Sequence, residues 1–132
     1  MTRVAGQFTA FPAAVAADGL IITSGIIDHR ALGAHEAPPI ESQLTSALDT
    51  LSTVLVQAGG SLETVMRVEC FLTDSADAPY WNEAFARTWP RDPPARTTLV
   101  ATLLHSTLKV EIQAIAHLTE CLTTRPADEM GQ

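Results

Sequence analysis

Two charged residues stand out because each lies beside or within an apolar, strand-like run. Arg96 follows Pro93, Pro94 and Ala95 in RDPPARTTLVA (residues 91–101) and opens one such run. Glu111 lies between Val110 and Ile112 in LKVEIQAIAH (108–117). A guanidinium fixed at a strand end can clamp a carboxylate through two parallel hydrogen bonds, or it can snorkel into solvent. A glutamate held in a site can position water or take up a proton, whereas one on a wetted strand face does neither. Ser24, just before Gly25 at the end of another strand-like run, can donate to a ligand or serve the turn. His29, His35, His105 and His117 show neither metal-ligand spacing nor a nucleophile–base arrangement, and they read as loop or strand-end residues. No GxGxxG, P-loop, GxSxG or HExxH pattern occurs, which argues against nucleotide, hydrolase-elbow and zincin chemistry.

Composition narrows the partners. The formal net charge is −7, and only eight residues are Lys or Arg. An acidic chain without a basic cluster lacks the counterion-release footprint of nucleic-acid binding, so any anion site must be local. At 132 residues with 46% hydrophobic and 17% charged residues, the chain reads as one folded domain over 1–120. A flexible tail is expected over 121–132. The apolar surplus points to an oligomer. Cys70 and Cys121 form no CxxC or zinc pattern, and Cys70 falls on an apolar strand as a core thiol. AAVAAD at 13–18 resembles a signal-peptidase site, but Gly6, Gln7, Thr9 and Pro12 interrupt the preceding run. The N-terminus is therefore read as part of the fold, and the protein as cytoplasmic and not membrane-bound.

The elements that must position Arg96 and Glu111 follow from periodicity. Asp18-Gly19 joins strand-like arms at 8–16 and 20–25 into a hairpin, the first arm irregular at Pro12. Residues 26–39 read as a long loop. Ile40, Leu44, Ala47, Leu48, Leu51, Val54, Leu55 and Ala58 recur at helical spacing, ended by Gly59-Gly60, which predicts a helix over 40–58. Alternation predicts a strand over 65–73, with Met66, Val68, Cys70 and Leu72 on one face. A second helix is expected over 78–88, with Trp81, Ala84, Phe85 and Thr88 on one side. Two strands follow, 96–104 and 108–117. The order implies a two-layer α/β domain, a mixed sheet with two helices on one face, whose other face needs a partner. If the last two strands pair directly around His105-Ser106-Thr107, Arg96 and Glu111 stand on the order of 16 Å apart. One site using both would then span two subunits or be bridged by a ligand.

The segments TSG (23–25), AGGSLETVMRVECFLTD (58–74), WNEAF (81–85), PPARTTL (93–99) and VEIQAIA (110–116) together resemble the Rid/YjgF family of reactive-intermediate deaminases, also described as L-PSP endoribonuclease-like. The resemblance runs from about residue 10 to 118. It implies a chorismate-mutase-like fold, a homotrimer with clefts between subunits, and hydrolysis of enamines and imines of amino acids to a 2-keto acid and ammonia without metal or cofactor. By the same resemblance Arg96 is the clamp for the substrate carboxylate and Glu111 positions or activates the water. Ser24 and Asn82 line the cleft. Phe11-Pro12 stands where the family has a tyrosine–serine pair, Ile26 replaces the glutamine of SGQ, and Thr98 replaces a cysteine. Phe11 keeps the aromatic wall and loses the hydroxyl. These departures favour, as the alternative, a trimer that binds small carboxylates such as keto acids without turnover. The acidic charge disfavours a ribonuclease.

Overall fold

The computed structural model describes residues 1–119. The tail expected over 121–132, and Cys121 within it, lie outside the described residues. The apolar stripe from Ile40 to Ala58 forms the helix the spacing predicts, α1 (Ile40–Ala58), and every residue of that stripe is buried. Gly59 ends it in the left-handed conformation at φ 103°, where its N–H reaches the Leu55 and Val56 carbonyls. Asp18 and Gly19, both at positive φ, turn a tight hairpin between β2 (Ala14–Ala17) and β3 (Leu20–Thr23). The first arm is shorter than expected. Residues 8–13 leave the sheet, and Thr2–Val4 (β1) pairs with β2 instead.

Beyond α1 come β4 (Val65–Leu72), α2 (Ala78–Thr88), β5 (Ala95–Val100) and β6 (Val110–His117). They form one mixed six-stranded sheet ordered β1-β2-β3-β6-β4-β5, with both helices against one face. This is the expected two-layer α/β architecture. The last two strands do not form the hairpin considered from sequence. Instead β5 runs parallel to β4 through the α2 crossover, while β6 inserts between β3 and β4, antiparallel to both. A crossover helix lets a parallel neighbour form at the sheet edge, and it leaves the inner position to β6.

Register then decides the faces. Val68 and Cys70 pair with Arg96 and Thr98, so both β5 residues lie on the helix side of the sheet. Glu111 pairs with Phe71 on the open side, while Val110, Ile112, Ala114 and Ala116 are buried under the helices. Met66 is exposed rather than aligned with Val68, because an irregularity between Val65 and Arg67 shifts the alternation by one residue. Cys70 is fully buried, and desolvation pushes its thiol up to about 12 against a smaller opposing pull from the Arg96 charge. It is an inert core group.

Two buried polar side chains tie loops to α1. Asp28 accepts hydrogen bonds from Arg30 N (3.1 Å), Arg30 Nε (2.9 Å), Arg30 Nη2 (3.2 Å) and Ser46 Oγ (3.0 Å). Burial alone would raise this carboxyl, but the bonds outweigh it and hold the pKa below the ordinary aspartate value. Gln43 donates to the Pro38 and Thr107 carbonyls (3.0 and 2.9 Å) and accepts from Lys109 N (2.9 Å). It thereby pins the connection that feeds β6. Gln43→Met keeps the volume and strands these partners, so it is expected to lower the unfolding free energy by about 3 kcal/mol in urea titration. Among the described residues no helix is long and apolar enough to cross a membrane.

Candidate functional site

The residues singled out from sequence fall into two groups. The first lies where β5 meets α2. Arg96 Nη2 donates to Asn82 Oδ1 at 2.7 Å, and the guanidinium carbon sits 4.7 Å from the Phe85 ring centre and 6.0 Å from that of Trp81. Trp81 and Phe85 are themselves packed edge to face at 5.6 Å. Spaced four apart on α2, they form a shelf that holds the planar cation by stacking, and Asn82 fixes its rotation. The remaining N–H groups of Arg96 stay available to a planar anion. Thr98 accepts from the indole nitrogen of the fully buried Trp81 at 3.0 Å, so its hydroxyl is oriented from beneath.

The second group gathers around Glu111. After β3 the chain leaves β6 at Ser24-Gly25 and rejoins it through reciprocal backbone bonds between Ile26 and Ile112 (2.6 and 2.9 Å). That excursion lays Gly25 on the Glu111 side chain. A Cβ built at Gly25 would overlap the Glu111 carboxylate, with the carboxyl carbon at 2.9 Å. Only glycine permits this approach. Glu111 is half-buried, and desolvation raises its pKa above the ordinary glutamate value. No cation offsets the effect among the described residues, so the group is poised to hold a proton more readily than a surface carboxylate.

Ser24 and Phe11 frame this second group. Ser24 Oγ donates to the Pro12 carbonyl at 2.7 Å and its backbone N–H to Ala13 O at 2.8 Å, so the serine serves the turn and offers a ligand only its lone pairs. Phe11 is 47% exposed and stacks on Phe8 with ring centres 5.4 Å apart. Together with Gly25 these rings border an open cleft of about 380 Å³ that runs to α1.

Arg96 and Glu111 therefore do not meet within one chain. Their strands are two apart in the sheet, their registers differ by three residues, and their side chains leave opposite faces. The backbone separation is on the order of 14 Å from strand spacings, and the sheet stands between them. Sequence reasoning named both charges and, through the family resemblance, Asn82, which bonds Arg96, but it missed the Gly25 cradle and the Phe85 shelf. Gly25 was visible only as part of a strand-ending turn, and Phe85 only as a core-facing helix residue.

A family model described as Endoribonuclease L-PSP matches residues 3–118. The 3-aminoacrylate deaminase RutC of Acinetobacter baylyi is 33% identical over 107 residues, covering 80% of this chain and 84% of that protein. The crystal structure of an Entamoeba histolytica protein assigned to the endoribonuclease L-PSP group superposes with a TM-score of 0.76 at 29% identity, covering 88% of this chain and 94% of that one. A Mycobacterium tuberculosis protein of the YjgF family superposes with a TM-score of 0.77 at 24% identity, covering 89% and 98%, and bears on the fold alone. Family match, relative and fold agree: the chain belongs to the Rid/YjgF family, the group matched by the Endoribonuclease L-PSP model, and has its chorismate-mutase-like fold.

Proposed function

We propose that the protein hydrolyses small 2-imino and 2-enamino acids to 2-keto acids and ammonia, in clefts between subunits of a homotrimer. The observation that carries the reading is Glu111, a half-buried carboxylate with a raised pKa, cradled by Gly25 at the end of a strand excursion. The relation to RutC supports the reaction class, since 3-aminoacrylate is an enamine bearing a carboxylate. The separation of Arg96 from Glu111 supports the assembly, because a small substrate can reach both only if a second copy brings its Arg96 to this Glu111.

In the proposed reaction Arg96 of one subunit holds the substrate carboxylate through two N–H groups. Asn82 and the Phe85–Trp81 shelf keep that guanidinium from swinging away. An enamine first gains a proton on C3 and gives one up from nitrogen to become the imine. Glu111 of the neighbouring copy orients a water and accepts one of its protons as the water oxygen bonds to C2. Glu111 then returns that proton to nitrogen to give the carbinolamine, and it relays the carbinolamine O–H proton to the same nitrogen as the C2–N bond breaks, so that ammonia leaves and the C2=O carbonyl of the keto acid forms. The imine is already electrophilic, so orientation and one proton relay suffice, and the reaction consumes only water.

The test is to generate imino acids in situ with an amino-acid oxidase and follow their decay. The protein is expected to accelerate it in proportion to its concentration. An unchanged decay rate, together with keto acids that raise the melting temperature, would instead identify a carboxylate-binding module.

A further inference from the structure

Two neighbouring residues of α2 each hold one side chain of β5. Asn82 Oδ1 takes the Arg96 guanidinium, and Trp81 gives its indole N–H to Thr98 Oγ1 at 3.0 Å. Arg96 and Thr98 stand two apart on the same face of β5, about 7 Å along the backbone. The Trp81 ring serves both, since its centre is also 6.0 Å from the guanidinium carbon. That ring is fully buried and packed edge to face on Phe85, so close packing holds it in one orientation. The proposed reaction uses Trp81 only as a shelf and leaves Thr98 without a task.

Resting on the reading that Arg96 clamps a substrate carboxylate, we propose that the Thr98 hydroxyl is a second donor to that carboxylate, and that Trp81 is the positioning residue that aims it. An indole N–H only donates, so Thr98 accepts with a lone pair and keeps its own proton. That proton finds no acceptor among the described residues. The bond from the buried indole occupies the inner side of the hydroxyl, which leaves the O–H for the exposed side, where Arg96 also opens. A carboxylate has about four lone-pair positions, and a guanidinium fork fills two of them. The third can go to Thr98. Because the indole has already restricted the hydroxyl rotor, little freedom is lost when the ligand arrives. A thiol at 98 would serve neither half of this relay, being a weak acceptor for the indole and a weak donor to the anion.

The experiment reads binding, so it stands apart from turnover. Dissociation constants are measured by titration calorimetry for pyruvate and for propionate, which lacks the 2-oxo group. Thr98→Val is expected to weaken both about tenfold, the size of one hydrogen bond to a charged group. Thr98→Ser should restore most of the loss. Trp81→Phe is expected to weaken both about fivefold alone, and less than about twofold when added to Thr98→Val, because it then has no hydroxyl to aim. Equal factors in the two backgrounds would overturn the role of Trp81, since a ring serving only packing or the Arg96 shelf would give that result. Indole N–H NMR keeps this arm decisive should Trp81→Phe fail to fold. The chain has two tryptophans, and Trp89, bonded to the Leu62 carbonyl, is the internal reference. Saturating pyruvate is expected to shift the Trp81 resonance in wild type but not in Thr98→Val, and no wild-type shift, or equal shifts in both, would overturn the proposal. Unchanged binding in Thr98→Val, or a loss confined to pyruvate, would overturn the bond to the carboxylate. If imine decay is not accelerated while these binding results hold, the deaminase reading falls and the donor stands. Accelerated decay with no binding of either acid would overturn the donor alone.

Discussion

Arg96→Ala is expected to lower kcat/KM for imines generated in situ by roughly 10²–10³-fold, with the melting temperature nearly unchanged. The magnitude is that of removing one positioned charged donor from a reacting centre. The fold should survive because Arg96 is exposed on an edge strand, and its loss removes one stacking contact and the bond to Asn82. Arg96→Lys keeps the charge but loses the planar fork and the stacking, so it should recover only part of the loss. Steady-state rates beside a thermal melt check this directly. Full activity in Arg96→Ala would remove the carboxylate clamp from the reading.

Glu111→Gln is expected to reduce kcat by about 10²–10⁴-fold while KM changes little, because the amide still fits against Gly25 but cannot take a proton. The acidic limb of the wild-type kcat profile should lie above the ordinary glutamate value near 4.5, since burial raises this group. The same shift has a consequence for stability. Between that ordinary value and the raised one the folded chain binds more protons than the unfolded chain, so stability falls as pH rises across the window and is level above it. Glu111→Gln removes a desolvated charge and should therefore melt higher than wild type at neutral pH while being nearly inactive. Gly25→Ala should separate position from chemistry. Its methyl group displaces the flexible carboxylate, so activity should fall while the fold tolerates the change.

The two variants together test the placement of the charges. In a cyclic trimer reassembled from equal amounts of Arg96→Ala and Glu111→Gln chains, about one interface in four joins an intact Arg96 to an intact Glu111 of the neighbour. Activity should return to about a quarter of wild type. Sites built within single chains would regain none, because every chain carries one defect.

The sequence showed some of this because some signals are local. The α1 stripe has a helical period and a glycine stop, and Asp18-Gly19 adopts the positive φ values a tight hairpin needs. Arg96 and Glu111 were legible as charges out of place. Strand partnering was not legible, because α2 carries the chain across to a parallel neighbour and nothing in 96–117 states which strand β5 will meet. A one-residue irregularity at Val65/Arg67 was equally silent, and it turned Met66 outward. The roles of Gly25 and Phe85 depend on atoms 86 and 11 positions away in the chain (Glu111 and Arg96), so no local pattern could reveal them.

Gln43 grips the 105–109 connection only by backbone atoms, the Thr107 carbonyl and the Lys109 N–H. The side chains of His105 and Ser106 are thereby released from any duty in placing β6. That segment can exchange residues freely over evolutionary time while the strand carrying Glu111 keeps its register. Family members that retain a glutamine here should vary most in the loop it holds, and a library randomised at 105 and 106 should yield mostly folded proteins.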